Sequence, residues 1–193
     1  MKDQKVRKFV VIGMFSSIAY LLMLLNFPLP PFPSFLNIDF SDVPALIAAI
    51  IFGPVAGIVV ELVKNVLDYV MTGSEVGVPI GHFANFIAGV AFILPVYYIY
   101  KKASSKRGLV VGLVAGTVFM AVFMAIMNYL VILPAYSFFL GWNMGDAKVL
   151  ATTAILPFNL IKGVLMTSVF LLLFSRMQSW IVKMAPAKLK TNE

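Results

Sequence analysis

Residues 151–175 read ATTAILPFNLIKGVLMTSVFLLLFS, an apolar run that carries one charge, Lys162. A helix of this length rises about 38 Å, enough to cross the roughly 30 Å hydrocarbon layer of a bilayer. A charge at such depth costs roughly 2.5–3.5 kcal/mol on insertion scales, so it marks a functional site by default. Asn159 lies one turn earlier and shares the helix face of Lys162. An ammonium beside an amide, both aimed into a bundle, reads as a site for a polar small molecule. The competing reading is that Lys162 snorkels to the interface or pairs with a carboxylate on a neighbouring helix.

The rest of the chain has the same character. Of its 193 residues 61% are hydrophobic and 12% charged, and the mean hydropathy is +0.97. This is the composition of an integral membrane protein with room for about six crossings. It contains no cysteine and one histidine, His82, which excludes disulfides and thiolate chemistry and leaves no metal site in view. The net charge of +7 does not imply nucleic acid. Its basic residues gather near Lys2–Lys8, Lys101–Arg107 and Arg176–Lys190, at the ends of apolar segments, as the positive-inside pattern requires. The start of the chain imitates a secretory signal, but the apolar run enters Asn26-Phe-Pro-Leu-Pro30 with no clear small-residue cleavage site, so an uncleaved first span is expected.

Punctuation then gives a single all-α domain, a six-helix transmembrane bundle with spans at about 7–26, 43–52, 54–71, 79–100, 109–133 and 149–180. Both termini are expected in the cytoplasm. Pro28, Pro30, Pro31 and Pro33 forbid regular helix after the first span, and Ser41 or Asp42 is positioned to cap the second. The second span is the weakest, because so few residues do not cross the hydrocarbon alone. Residues 27–41, 72–78 and 135–148 become outer loops, and Leu133-Pro134 ends the fifth helix. Tyr97, Tyr98, Tyr100, Tyr136, Trp142 and Trp180 fit interfacial aromatic belts.

Several further polar residues fall within these spans. Glu61, Lys64, Asn65 and Asp68 form one stripe on the third helix. Lys64 is expected to pair with Glu61 or Asp68, and Asp68 to be solvated at the outer end. Asn85 and Asn128 lie about 9 and 8 Å below the outer ends of their helices, and Asn159 and Lys162 roughly 15 and 20 Å below theirs. Asparagine both donates and accepts, so several at similar depth suit the edge of an amide-containing heterocycle. Singly, each reads as an interhelical hydrogen bond. His82 reads as a packing residue with no role. Gly13, Ser16, Ser17 and Ala19 make a small-residue strip on the first helix, suited to packing within the subunit or to docking another membrane protein. No phosphate-binding loop, zinc-protease motif or nucleophile elbow is present, so no catalytic residue is assigned. The rival readings are a membrane enzyme using Glu61, Lys64 and Asp68, and a stand-alone proton-coupled carrier.

The segments Ile38-Asp-Phe-Ser-Asp-Val-Pro-Ala45, Gly53-Pro-Val-Ala-Gly57, Val63-Lys-Asn65, Ala84-Asn-Phe-Ile-Ala-Gly89, Asn128-Tyr with Leu133-Pro, and Pro157-Phe-Asn-Leu-Ile-Lys-Gly163 resemble the RibU family, in order and at compatible spacing. These are riboflavin-binding S components of energy-coupling factor (ECF) transporters of prokaryotic plasma membranes. The resemblance implies a vitamin site near the outer face, lidded by the loop after the first helix. It also implies a transmembrane coupling protein and two cytoplasmic ATPases as partners, with riboflavin as cargo, no cofactor and no enzymatic activity. The family's ligand-binding residues carry over to Asn128, Asn159 and Lys162, with Asn85, Asp39 and Phe40 as further candidates. Its coupling strip carries over to Gly13, Ser16, Ser17 and Ala19, where glycine and serines stand in for the family's alanines. The resemblance leaves another flavin or vitamin, riboflavin 5′-phosphate (FMN) included, as the alternative cargo.

Overall fold

The computed structural model describes residues 2–74, 77–141 and 145–184; Trp142, Lys188 and Lys190 lie outside them. Among the described residues six helices form the bundle: α1 (Lys2–Leu24), α2 (Asp42–Phe52), α3 (Pro54–Thr72), α4 (Ile80–Ala103), α5 (Lys106–Leu140) and α6 (147–184). Among the described residues, three stretches are long and apolar enough to cross a membrane: Ile80–Ala103, Lys106–Leu140 and Ala147–Met177. The fold is not purely α. Between α1 and α2, β1 (Phe27–Pro28) pairs antiparallel with β2 (Asn37–Ile38), closing the proline-rich loop into a short hairpin.

α2 stands at the centre. Every residue from Asp42 to Ile51 is buried, and the helix packs against α1, α3, α4 and α6. An apolar surface on all sides is what a fully enclosed helix requires. At about 16 Å it is a strut within the bundle and too short to span the hydrocarbon alone. Gly53, with φ +98°, makes the reversal into α3, where Pro54 takes an initial position that needs no N–H. Lys8 of α1 donates to the Phe52 carbonyl at 3.2 Å, so the uncharged Gly53-Pro54 turn lies beside the basic start of the chain. Lys101 sits 5.5 Å above the Tyr97 ring, and the Tyr97 hydroxyl approaches Gly53, so the basic loop 101–107 belongs to this same end.

α3 is amphipathic in the reverse sense of a helix in water. Leu62, Val66 and Val70 are exposed, while Glu61, Lys64, Asn65 and Asp68 are buried. On α5, Val110, Val114, Val118, Val122 and Ile126 are exposed likewise. Such surfaces suit hydrocarbon as the surrounding solvent. α4 and α5 meet closely because Gly112 and Gly116 face Val96 and Phe92 with no side chain between them.

α5 and α6 depart from the sequence reading in one shared way. α5 does not stop at Pro134 but runs on to Leu140, and α6 begins at Ala147, so helix takes up residues 135–140 and 147–148 of the expected loop 135–148. Each helix contains one π-helical turn, Asn128–Ile132 and Ala151–Ile155. Pro134 and Pro157 follow these turns as the second residue of a new α segment. The wider turn shifts the hydrogen-bond register, so the missing proline N–H falls where none is demanded.

A methyl group at Gly116 would sit 2.6 Å from Val96 Cγ2 and 2.8 Å from the Phe92 carbonyl oxygen, whereas Gly13 has open space around it. Gly116→Ala should therefore destabilise the detergent-solubilised chain by about 1–3 kcal/mol through overpacking. Gly13→Ala should leave the melting temperature unchanged or raise it slightly through helix propensity. Equal melting temperatures for the two variants would contradict this packing.

Candidate functional site

At the end of the bundle away from the Gly53 turn lies a cavity of about 380 Å3. That volume falls within the range of roughly 300–1,000 Å3 usual for small-molecule sites. The hairpin loop covers it, held to the helices by two ring contacts. Phe32 meets Phe158 edge-on at 5.6 Å, and Phe35 meets Tyr136 at 5.8 Å. α3, α4, α5 and α6 supply the walls.

Asn128, Asn159, Lys162, Asn85 and Asp39 all line this cavity, although they come from four separate parts of the chain. Phe40 does not. It is half-buried and outside the lining, because the extended backbone that turns Asp39 inward turns its neighbour away. Asn128 and Asn159 are buried, and each donates its amide nitrogen to the carbonyl four residues back, at 2.8 Å to Met124 and Ile155. The Oδ1 of each then points away from its own helix as an acceptor. Both π turns serve this geometry, one carrying Asn128 and the other ending just before Phe158 and Asn159.

Asp39 is the best-satisfied group in the site. Its Oδ1 accepts from the Ser41 backbone N–H at 2.9 Å and from the Ser41 hydroxyl. Its Oδ2 accepts from Lys162 Nζ and Asn85 Nδ2, each at 3.1 Å. Burial alone would push this carboxyl up, but the ammonium groups of Lys162 and Lys64 and the Ser41 hydrogen bonds outweigh it. The carboxyl is held well below its ordinary range. A depressed pKa keeps Asp39 ionised at neutral and mildly acidic pH, and its contribution to stability is lost only below the ordinary carboxylate range.

The pairing continues inward. Lys64 donates to the Ser41 hydroxyl at 2.6 Å, pairs with Asp42, and lies 2.8 Å from Glu61 Oε2. Lys162 also lies 3.8 Å from Asp42 Oδ2. Lys64 thus takes Glu61, one of its two expected partners, together with Asp42. The other, Asp68, is neither solvated at the helix end nor bound to Lys64; it lines the cavity and bonds His82 Nε2 at 3.0 Å. His82, read from sequence as packing, also lines the cavity and meets the Tyr69 ring edge-on at 5.5 Å. Ser41 occupies the capping position of α2, but its hydroxyl serves Asp39 and Lys64 and caps nothing. The two carboxylates in Asp39-Phe-Ser-Asp42, in a chain with an unmatched intramembrane lysine at 162, are the sequence signal for this network. Gly89 leaves room for it, since a Cβ there would overlap the Glu61 carboxylate.

The small-residue strip of α1 divides. Gly13 and Ser17 face outward, whereas Ser16 and Ala19 are buried against the bundle, so only the first two are open to a partner. Among the described residues no group of three acidic, histidine or cysteine side chains is placed to hold a metal.

The family model described as ECF transporter, substrate-specific component, matches residues 7–174. The chain is 52% identical to the riboflavin transporter FmnP of Bacillus subtilis (strain 168) over 180 residues, 92% of this chain and 95% of that one. It is 42% identical to the riboflavin transporter RibU of Staphylococcus aureus (strain TCH60) over 182 residues, 92% of this chain and 94% of the relative. A solved structure of the S component of a bacterial ECF transporter superposes with a TM-score of 0.80 at 42% identity, covering 92% of this chain and 98% of that chain. With the family model matched along nearly the whole bundle and the fold shared with a solved S component, the chain belongs to the substrate-specific components of ECF transporters.

Proposed function

We propose that the chain is the riboflavin-binding subunit of an ATP-driven ECF uptake transporter. It captures riboflavin at the outer face of the plasma membrane and delivers it inward with a membrane coupling protein and two cytoplasmic ATPases. The observation that carries this reading is the lidded cavity of about 380 Å3 that gathers Asn128, Asn159 and Lys162, in a chain 52% identical to a riboflavin transporter. Riboflavin is a flat tricycle with an amide-rich edge and a neutral polyol tail. Asn128 and Asn159 offer acceptors for ring N–H groups, and Lys162 offers a donor for a ring carbonyl. Phe35, Tyr136 and Phe158 supply aromatic surface for the ring faces. Asp39, whose oxygens are already satisfied, acts by fixing Lys162 and the lid. The chain is a carrier subunit and not an enzyme, and riboflavin is its cargo.

The sequence has no phosphate-binding loop, so the energy for release comes from partners. Gly13 and Ser17 provide an outward small-residue surface for the coupling protein. In this reading both termini are cytoplasmic, the six helices form one transmembrane bundle with α2 enclosed, and the cavity opens outward. The Lys8–Phe52 contact supports the orientation by joining the Gly53 turn to the basic start of α1.

Fluorescence quenching of riboflavin by the purified chain tests the site. Asn128→Ala and Asn159→Ala should each weaken binding by about 10- to 100-fold, as expected for a buried hydrogen bond left unmade. Their melting temperatures without ligand should stay close to that of the parent. Unchanged affinity in both variants would remove the cavity from consideration as the flavin site.

The lack of native cysteine allows a direct test of orientation. In intact cells Lys148→Cys should react with a membrane-impermeant thiol reagent, and Lys102→Cys should react only after permeabilisation. The reverse pattern would invert the proposed topology.

A further inference from the structure

Glu61 is fully buried in the middle of α3 and does not line the cavity. The charges around it do not balance. Among the described residues the network holds three carboxylates, Asp39, Asp42 and Glu61, against two ammonium groups, Lys64 and Lys162. The helices packed on α3 bring no further compensation. α4 meets Glu61 with Gly89, and α1 carries no acidic or basic residue from Phe9 to Leu24. Asp68, two turns along α3, is occupied separately by His82. The network therefore has one carboxylate too many for its cations. An unbalanced charge in an apolar interior is neutralised by taking up a proton.

Hydrogen bonding singles out the carboxylate that takes it. Asp39 accepts from Ser41, Asn85 and Lys162, and Asp42 Oδ1 accepts from Lys64. Lys64 also donates to the Ser41 hydroxyl. Glu61 Oε2 lies 2.8 Å from Lys64 Nζ, yet neither Glu61 oxygen makes a hydrogen bond. Glu61 is thus the least supported anion of the three. Two further buried acceptors lack a donor: Asp42 Oδ2, and Asn65 Oδ1 one turn from Glu61 on the same face of α3. A neutral carboxylic acid brings the O–H donor that an ionised one does not have.

We infer that Glu61 is a proton-binding site: it is held as the neutral acid, and its proton makes the network of Asp39, Asp42, Lys64 and Lys162 electrically neutral. The proton stays with the bundle as part of its fold and is not cargo. The inference does not rest on which molecule the cavity carries.

Infrared spectroscopy of the full-length chain, purified in detergent at neutral pH, provides the test. Solvated carboxyl groups are ionised there and contribute no carboxylic-acid C=O band. The chain should show such a band. The band should shift when the glutamates carry 13C, and it should vanish in Glu61→Gln, which keeps the shape and charge of the neutral acid. The labelled parent separates Glu61 from Asp39 and Asp42 even where the variant does not fold. A chain without the band, a band that ignores the label, or one that survives in Glu61→Gln would overturn the inference.

Discussion

The structure depends on the carboxylate of Asp39. A charge this deeply buried survives only when it is paired and hydrogen-bonded, and here the four donors come from three separate places. Ser41 supplies two from the start of α2, Asn85 one from α4, and Lys162 one from α6. One loop residue thereby ties the lid to three helices. Through Ser41 and Asp42 the same network reaches Lys64 and Glu61 on α3. Removing one member of such a network leaves an unpaired buried charge, typically a loss of about 3–5 kcal/mol. The polar interior of α3, which looks extravagant in an apolar chain, is the counterpart of Asp39 and Asp42.

This arrangement divides the lid into a fixed and a releasable part. Its C-terminal end is anchored by Ile38, which is fully buried, and by Asp39. Its tip is held by the ring contacts of Phe32 and Phe35, each worth about 0.5–1.5 kcal/mol beyond area burial. Opening the cavity therefore has far less to break at the tip than at the anchor, where the hairpin pairing of Phe27 with Ile38 also lies. In the proposed reading a ligand enters beneath the tip while Asp39 holds Lys162, which would keep the deep end of the cavity preorganised.

Much of this was legible in the sequence, for identifiable reasons. Lys162 and Asn159 stood out because a polar residue in a long apolar run has few explanations. The helices followed from hydropathy and from proline and glycine punctuation, and helical depth alone brought Asn85 and Asn128 to the level of the site. What stayed hidden depends on partners distant in the chain. Nothing local links Asp39 to Lys162, Lys64 to Asp42 or Asp68 to His82. The π turns carry no sequence signal of their own, so Pro134 read as a helix end although the helix passes through it. The facing of the α1 strip was hidden for a related reason. Spacing groups Gly13, Ser16, Ser17 and Ala19 on one stretch of helix, but the face on which each lies is set by contact with the bundle.

The most direct test of the central claim is the visible absorption spectrum of the chain, purified in detergent from flavin-replete cells without its partner subunits. The account predicts flavin bands that persist through washing and correspond to one riboflavin per chain. A colourless protein that also fails to quench the fluorescence of added riboflavin would contradict it.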